Sequence, residues 1–204
     1  TISTDSLNAS ILGGDQNQLE SAAYSIIGAG QSNSISESSN FSIIGAGYGN
    51  TIVGNADCSM IGTGHSNTLG DDTYISGSAG SDYSIIGGGH ANTIASSSTY
   101  SIIGGGRYNT IYSSISSSIL GGYHNYIYTY DNVHIIGSNI SASRHNATYM
   151  NNLVLTGPDD EIDPTATTSS PMIKTYVSGS TVDGVPGGTQ DPNADAHSLL
   201  SIDS

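Results

Sequence analysis

One short phrase recurs along most of this chain and constrains its fold more than any other feature. The phrase is Ser-Ile-Ile-Gly, a Gly-rich step and then Asn-x-Ile, and its first glycine falls at Gly13, Gly28, Gly45, Gly62, Gly87, Gly104, Gly121 and Gly137. The intervals are 15, 17, 17, 25, 17, 17 and 16 residues, a period too short for helical-pair repeats or propeller blades. Short runs of Ile, Thr and Tyr broken by Gly and Asn indicate strands and turns. We therefore predict an all-β fold, a parallel β-solenoid (β-roll) of about eight short coils with two strands each.

The repeat divides the chain into three predicted parts. Residues 10–156 carry the repeat and are predicted to form a solenoid shaft, preceded by an N-terminal connector over residues 1–9. Residues 157–204 hold all five prolines and lack the repeat, so we expect a separate, small C-terminal β tip. The interval from Gly62 to Gly87 exceeds the period of 17 by 8 residues. We expect those extra residues to form a loop inserted at one corner of a coil.

Two apolar columns stand immediately before the repeat glycines. Neighbouring strand residues point to opposite faces, so a thin coil can enclose only one of the two columns. The other would remain as an exposed apolar stripe, which marks an interface. We predict an obligate oligomer, and we expect Asp at Ile86 and Ile103 to prevent assembly. The columns that form the interface or the core are Ile26, Ile27, Ile43, Ile44, Ile85, Ile86, Ile102 and Ile103.

Three further columns receive structural interpretations. An asparagine column is predicted to form a hydrogen-bonded turn ladder, because Asn tolerates the αL conformation and its amides stack between coils; it comprises Asn17, Asn33, Asn50, Asn67, Asn92, Asn109 and Asn125. A second column is expected to serve packing only: Tyr24, Phe41, Cys58, Tyr83 and Tyr100. A third is interpreted as a polar turn row rather than a metal site: Tyr48, His65, His90, Arg107 and His124.

Charge excludes two classes of partner. Three basic side chains against 17 acidic ones give a formal charge of −14, and a nucleic-acid binder needs a Lys/Arg footprint. No apolar run reaches the roughly 20 residues that a membrane helix needs. We therefore expect no nucleic-acid partner and no membrane insertion. As separate expectations, we predict no cofactor and no bound metal.

Tyrosine supplies the candidate binding residues. The chain has 13 Tyr against 1 Phe and no Trp, and hydroxylated aromatics suit wet surfaces and sugar platforms. Alternation along one strand predicts that Tyr126, Tyr128 and Tyr130 face outward, with Tyr112 beside them in the preceding coil. Either this patch contacts a ligand or it covers the junction between shaft and tip.

The Ser-Ile-Ile-Gly phrases at residues 25–28, 42–45, 84–87 and 101–104 resemble the YadA-like head repeat of trimeric surface adhesins. The resemblance implies a homotrimer, and the number three comes from it alone. Residues 134–140 and 148–157 look like the stretch that follows such repeats in phage and large-virus tail fibres. Those fibres often carry an endosialidase-type intramolecular chaperone that cleaves itself off between Ser and Asp, so a terminal Ser204 is what such a release would leave.

These features together predict a function. We expect a trimeric tail fibre or receptor-binding adhesin, on a virion or extracellular, that contacts other virion or fibre proteins and recognises a host-surface glycan. The alternatives are a self-assembling extracellular filament, an ice-binding solenoid and a glycan depolymerase. A depolymerase would use paired carboxylates such as Asp71, Asp72 and Asp82, but we expect no catalytic residue. The acidic residues 158–163 are interpreted as a solvated turn rather than a Ca²⁺ site.

Overall fold

Each repeat closes into one coil because its two short β-branched runs are separated by turn residues. The computed structural model describes residues 1–70, 80–95 and 97–151, and the strands 175–176 and 197–198. The chain divides into two units, Thr1–Asn152 and Leu153–Ser204. The described residues of the first unit contain only strands and turns, which confirms the all-β solenoid.

The described residues of the first unit form sixteen strands. They are β1 (Ser10–Ile11), β2 (Gln18–Leu19), β3 (Ile26–Ile27), β4 (Ser34–Ile35), β5 (Ile43–Ile44), β6 (Thr51–Ile52), β7 (Met60–Ile61), β8 (Thr68–Leu69), β9 (Ile85–Ile86), β10 (Thr93–Ala95), β11 (Ile102–Ile103), β12 (Thr110–Tyr112), β13 (Ser118–Ile119), β14 (Tyr126–Tyr128), β15 (Val133–Ile136) and β16 (Ala147–Met150). The odd-numbered strands and β16 form a nine-stranded parallel sheet, and the even-numbered strands β2 to β14 form a seven-stranded one. Successive coils therefore stack rung on rung.

The second unit is described only at two strands, β17 (Thr175–Tyr176) and β18 (His197–Ser198). They pair antiparallel, with Thr175 opposite Ser198 and Tyr176 opposite His197. The acidic residues 158–163 and Ser204 lie outside the described residues.

The solenoid interior is a stack of aliphatic columns, one from each sheet. Every member is fully buried from the second coil onward. Burial of each such side chain stabilises the folded state by about 1.5–3 kcal/mol relative to leaving it exposed to water. The column of the nine-stranded sheet contains Ile27, Ile44, Ile61, Ile86, Ile103, Ile119 and Ile135. The facing column of the seven-stranded sheet contains Leu19, Ile35, Ile52, Leu69, Ile94, Ile111 and Ile127.

The asparagine column forms the predicted ladder of amides. Asn50 donates from Nδ2 to Asn33 Oδ1 (3.1 Å), Ala46 O (3.2 Å) and Gly64 O (2.9 Å), and its own Oδ1 accepts from the next asparagine. The prediction that these asparagines adopt the αL conformation is wrong. The positive φ belongs to the residue before each asparagine, for example Ser32 (φ 56°) and Tyr108 (φ 56°). The buried amide is selected because it satisfies backbone groups in two coils.

The repeat glycine is required by the close approach of neighbouring coils. A Cβ built on Gly45 would lie 2.3 Å from the carbonyl oxygen of Gly62. Three of the eight glycines, however, lie one residue outside this column, because strand register aligns Ile11, Ile119 and Ile135 with Ile27 and Ile103. The column is therefore continued by Leu12, Leu120 and Ile136 in place of Gly13, Gly121 and Gly137.

The two predicted apolar columns separate into one buried and one exposed column. The inward column holds Ile27, Ile44, Ile86 and Ile103. The outward one, here called the apolar stripe, runs in register across five strands and comprises Ile26, Ile43, Met60, Ile85 and Ile102. Ile26 and Ile102 are 38% and 43% exposed. The expectation that Asp at Ile86 and Ile103 would act on the interface is wrong, because both side chains lie inside the coil.

The first residues are hydrogen-bonded to the solenoid rather than leading up to it. Ile2 forms a parallel bridge with Leu19. The Ser3 N–H donates to Leu19 O (2.9 Å), and the Leu19 N–H donates to Thr1 O (2.9 Å). Residues 1–9, expected as a connector, thus extend the seven-stranded sheet by a bridge, and the first compact unit begins at Thr1.

Candidate functional site: outward tyrosines and corner aromatics

The predicted tyrosine patch lies on the last two strands of the seven-stranded sheet. Strand register places Tyr112 beside Tyr128 and Thr110 beside Tyr126, while Ile111 and Ile127 point inward between them. Tyr126 is 44% and Tyr128 is 59% exposed. Period-2 alternation therefore places three of the four candidate tyrosines on one outward surface.

Stacking decides which parts of these rings a ligand can reach. The rings of Tyr112 and Tyr128 are 4.8 Å apart between centroids and nearly parallel, at 8°, so each covers one face of the other. Tyr126 has small neighbours in its column, Thr110 on one side and Ser141 on the other. The surface accordingly offers the ring of Tyr126, the outer face of Tyr128 and the phenol edges of the stacked pair.

Tyr130 does not belong to this outward surface, and its predicted orientation is wrong. Thr129 adopts φ 62°, which ends the strand and turns the next side chain inward. The Tyr130 N–H donates to Ser114 Oγ (3.2 Å), and the ring packs against the core. Tyr130 therefore occupies an interior position that a fully buried serine, Ser114, fills one coil earlier.

The predicted polar turn row lies at a second corner of the coils, and the structure differs from the prediction at one of its members. Bridges run in order through Asp15, Gln31, Tyr48, His65, His90, Arg107 and Tyr123. His124 was wrongly included in this row, since the bridge aligns Tyr123 with Arg107. The rings of His65 and His90 stack at 4.9 Å, and the Arg107 guanidinium lies 5.4 Å from the Tyr123 ring centroid. No group of three or more metal-ligating side chains occurs among the described residues.

The aromatic column expected to serve packing only is exposed at a different corner. Tyr24, Phe41, Tyr83 and Tyr100 are between 53% and 59% exposed, and Cys58 is exposed between them. All five have positive φ, from 54° to 60°, a conformation that costs a non-glycine residue about 1–2 kcal/mol. Tyr24 stacks on Phe41 (4.9 Å, 1°) and Tyr83 stacks on Tyr100 (5.2 Å, 12°). The sequence gives no signal for this exposure, because only the structure shows that the serine after each aromatic points inward.

Beside this aromatic column runs a column of side-chain oxygens. Asn40 Oδ1 accepts the Ala23 N–H (2.9 Å), Asp57 Oδ1 accepts the Asn40 N–H (2.6 Å) and Asp82 Oδ1 accepts the Asp57 N–H (2.9 Å). Burial, with a smaller contribution from the nearby Asp57 charge, raises the pKa of Asp82. Asp71 and Asp72, the other carboxylates weighed for catalysis, lie outside the described residues.

Comparison with models of known protein families and with curated proteins gives no match to this chain. Within the described residues, the structure contains no helix of the length and apolar character that crossing a bilayer would require. The functional assignment therefore depends on the surfaces of the solenoid itself.

Proposed function

We propose that the chain is a structural fibre protein: a trimeric β-solenoid shaft, on a virion surface or extracellular, that binds a host-surface glycan. The observation that carries this proposal is the apolar stripe. Its members are aligned on five consecutive strands of one sheet, whereas the outward column of the other sheet is polar over Gln18, Ser34, Thr51, Thr68, Thr93 and Thr110. A continuous apolar column of this kind is the signature of an interface rather than of scattered surface residues.

The fold supports a mechanical role. The long array of parallel rungs gives the first unit backbone pairing along its length, and the asparagine ladder adds side-chain hydrogen bonds from Asn17 to Asn125. No buried side-chain nitrogen or oxygen among the described residues lacks a hydrogen-bond partner. Such a fully satisfied interior is rigid, as a spacer that presents a binding surface must be.

The glycan surface is the outward face of Tyr112, Tyr126 and Tyr128. A pyranose can stack on the Tyr126 ring or on the outer face of Tyr128, and the phenol hydroxyls offer hydrogen bonds to sugar hydroxyls. Each contact alone is weak. Three copies on one rigid trimer would engage a repetitive glycan with an avidity about 10² or more above that of one site.

The binding experiment replaces Tyr126 and Tyr128 together by Ser. We expect adsorption of the protein to glycan-bearing host cells to be lost, while assembly mass and melting temperature stay unchanged, since both side chains point outward. The matched control is Tyr100→Ser, which removes an equally exposed ring at another corner and should leave adsorption intact. Normal adsorption of the double variant would mean that these tyrosines are not the receptor site.

A further inference from the structure

The exposed aromatic column is interrupted once, at Cys58. Hydrogen bonds fix the order of the column: the Cys58 N–H donates to Asn40 O (2.9 Å), and the Tyr83 N–H donates to Asp57 O (3.0 Å). Cys58 therefore lies one coil after Phe41 and one coil before Tyr83. No aromatic ring therefore stands between Phe41 and Tyr83 in this column, and we call the place between these two rings the Cys58 slot.

The walls of the slot are held in place from behind. The other face of Phe41 stacks on Tyr24 with an interplanar angle of 1°, and the other face of Tyr83 stacks on Tyr100 at 12°. Each wall is thus one ring of a nearly parallel pair. Two strand spacings separate the walls, about 9.6 Å. A group midway between them would be about 4.8 Å from each centroid, inside the roughly 6 Å range of a cation–π contact.

Charge along the slot selects the kind of group that fits. Asp57 directly precedes the slot floor and Asp82 directly precedes one wall. Both carboxylates lie in the adjacent column, on a chain with a formal charge of −14. Aromatic faces carry the negative side of the ring quadrupole, so two faces and two carboxylates together favour a cation. Asp82 Oδ1 accepts the Asp57 N–H (2.9 Å), which places the two acidic residues side by side, and the Asp57 charge adds to the effect of burial in raising the pKa of Asp82.

We propose that the Cys58 slot binds a trimethylammonium group, as found in choline and its phosphate esters. This group is apolar at its surface, cationic as a whole and compact enough to contact both rings at once. The site is separate from the tyrosine surface assigned above to glycan.

The test is calorimetric titration of the full chain with choline, with its neutral isostere 3,3-dimethylbutanol and with methyl glucopyranoside. Choline is expected to bind at least about tenfold more tightly than either neutral compound. Cys58→Phe, which continues the column with the residue found at position 41, should weaken choline binding by tenfold or more. Cys58→Ser keeps the slot open and should bind choline as the parent does.

Two further variants guard against a folding defect in Cys58→Phe. Phe41→Ser removes one wall of the slot. Asp57→Asn removes one charge and keeps the oxygen that accepts the Asn40 N–H. Each variant should weaken choline binding without changing the β-strand signal in circular dichroism. Binding to phosphatidylcholine vesicles would identify a lipid source, and binding to soluble phosphocholine alone a polymer-linked or free one. Equal affinity for the isostere, tighter binding of the glucoside or unchanged affinity in Cys58→Phe would each overturn the proposal.

Discussion

At the scale of single residues, Asp82 shows how coil stacking sets side-chain chemistry. Its carboxylate accepts the Asp57 N–H, yet burial and the neighbouring charge raise its pKa. A raised pKa means that the folded state favours the protonated form. Stability contributed by Asp82 is therefore present below the pKa of the unfolded chain and is lost as pH rises through the folded-state value.

Replacing Asp82 by Asn should stabilise the protein at neutral pH. Asn40 already fills the equivalent position and accepts the Ala23 N–H through the same atom, so the variant keeps the hydrogen bond and loses the charge. Because Asp82 is only partly buried, solvent screening should keep the gain within about 1 kcal/mol. Urea unfolding at pH 7 and pH 3 measures it: the gain should be present at pH 7 and vanish at pH 3. A variant less stable than the parent at pH 7 would contradict this account.

Residue orientation was predictable wherever strand alternation continued and not where it stopped. Tyr126 and Tyr128 face outward as the alternation indicates, since Ile127 between them is buried. Tyr130 lies beyond Thr129, whose positive φ no sequence pattern announces. The aromatic corner was misread for a related reason: bulky residues rarely adopt positive φ, and only the closed coil imposes it on Phe41 and Tyr83.

At the scale of secondary-structure elements, strand register was predictable from one column and misread from another. The asparagines recur at 16, 17, 17, 25, 17 and 16 residues, and these intervals equal those of the inward column from Ile11 in the first coil to Ile119 in the seventh. At both ends of the array, the glycine of the Ser-Ile-Ile-Gly phrase is offset by one residue from the strand register, because Leu12, Leu120 and Ile136 occupy the glycine column. A buried amide that must hydrogen-bond to two coils fixes register more strictly than a glycine.

Strand β11 provides a matched pair of substitutions that tests which face each apolar column occupies. Ile103 is fully buried and Ile102 is 43% exposed, although the two are neighbours. Ile103→Asp should destabilise the fold by more than about 3 kcal/mol, because it buries an unpaired charge. Ile102→Asp should retain the strand signal in circular dichroism and lose association.

Thermal melts followed by circular dichroism, with sedimentation velocity on the same samples, separate the two effects. Ile103→Ala serves as a control for loss of packing without charge. If Ile102→Asp and Ile103→Asp melted at the same temperature, the assignment of inward and outward columns on this strand would be refuted.

At the scale of the whole molecule, the apolar stripe has defined ends. Its column continues as Ser10 before Ile26 and as Ser118 and His134 after Ile102, where Ser118 Oγ and His134 Nδ1 are hydrogen-bonded (2.8 Å). Polar residues thus bound the apolar surface on both sides. This pattern suits a subunit interface with a fixed register along the shaft, since a shifted copy would place polar side chains against isoleucine.

The mass of the assembly in solution tests the central claim most directly. Sedimentation equilibrium at micromolar concentration should give a single species with three times the 20.8 kDa mass of the chain, because association removes the whole apolar stripe from water at about 25 cal/mol per Å². The double variant Ile85→Asp/Ile102→Asp should shift this mass towards that of one chain. A monodisperse parent protein of 20.8 kDa would contradict the account.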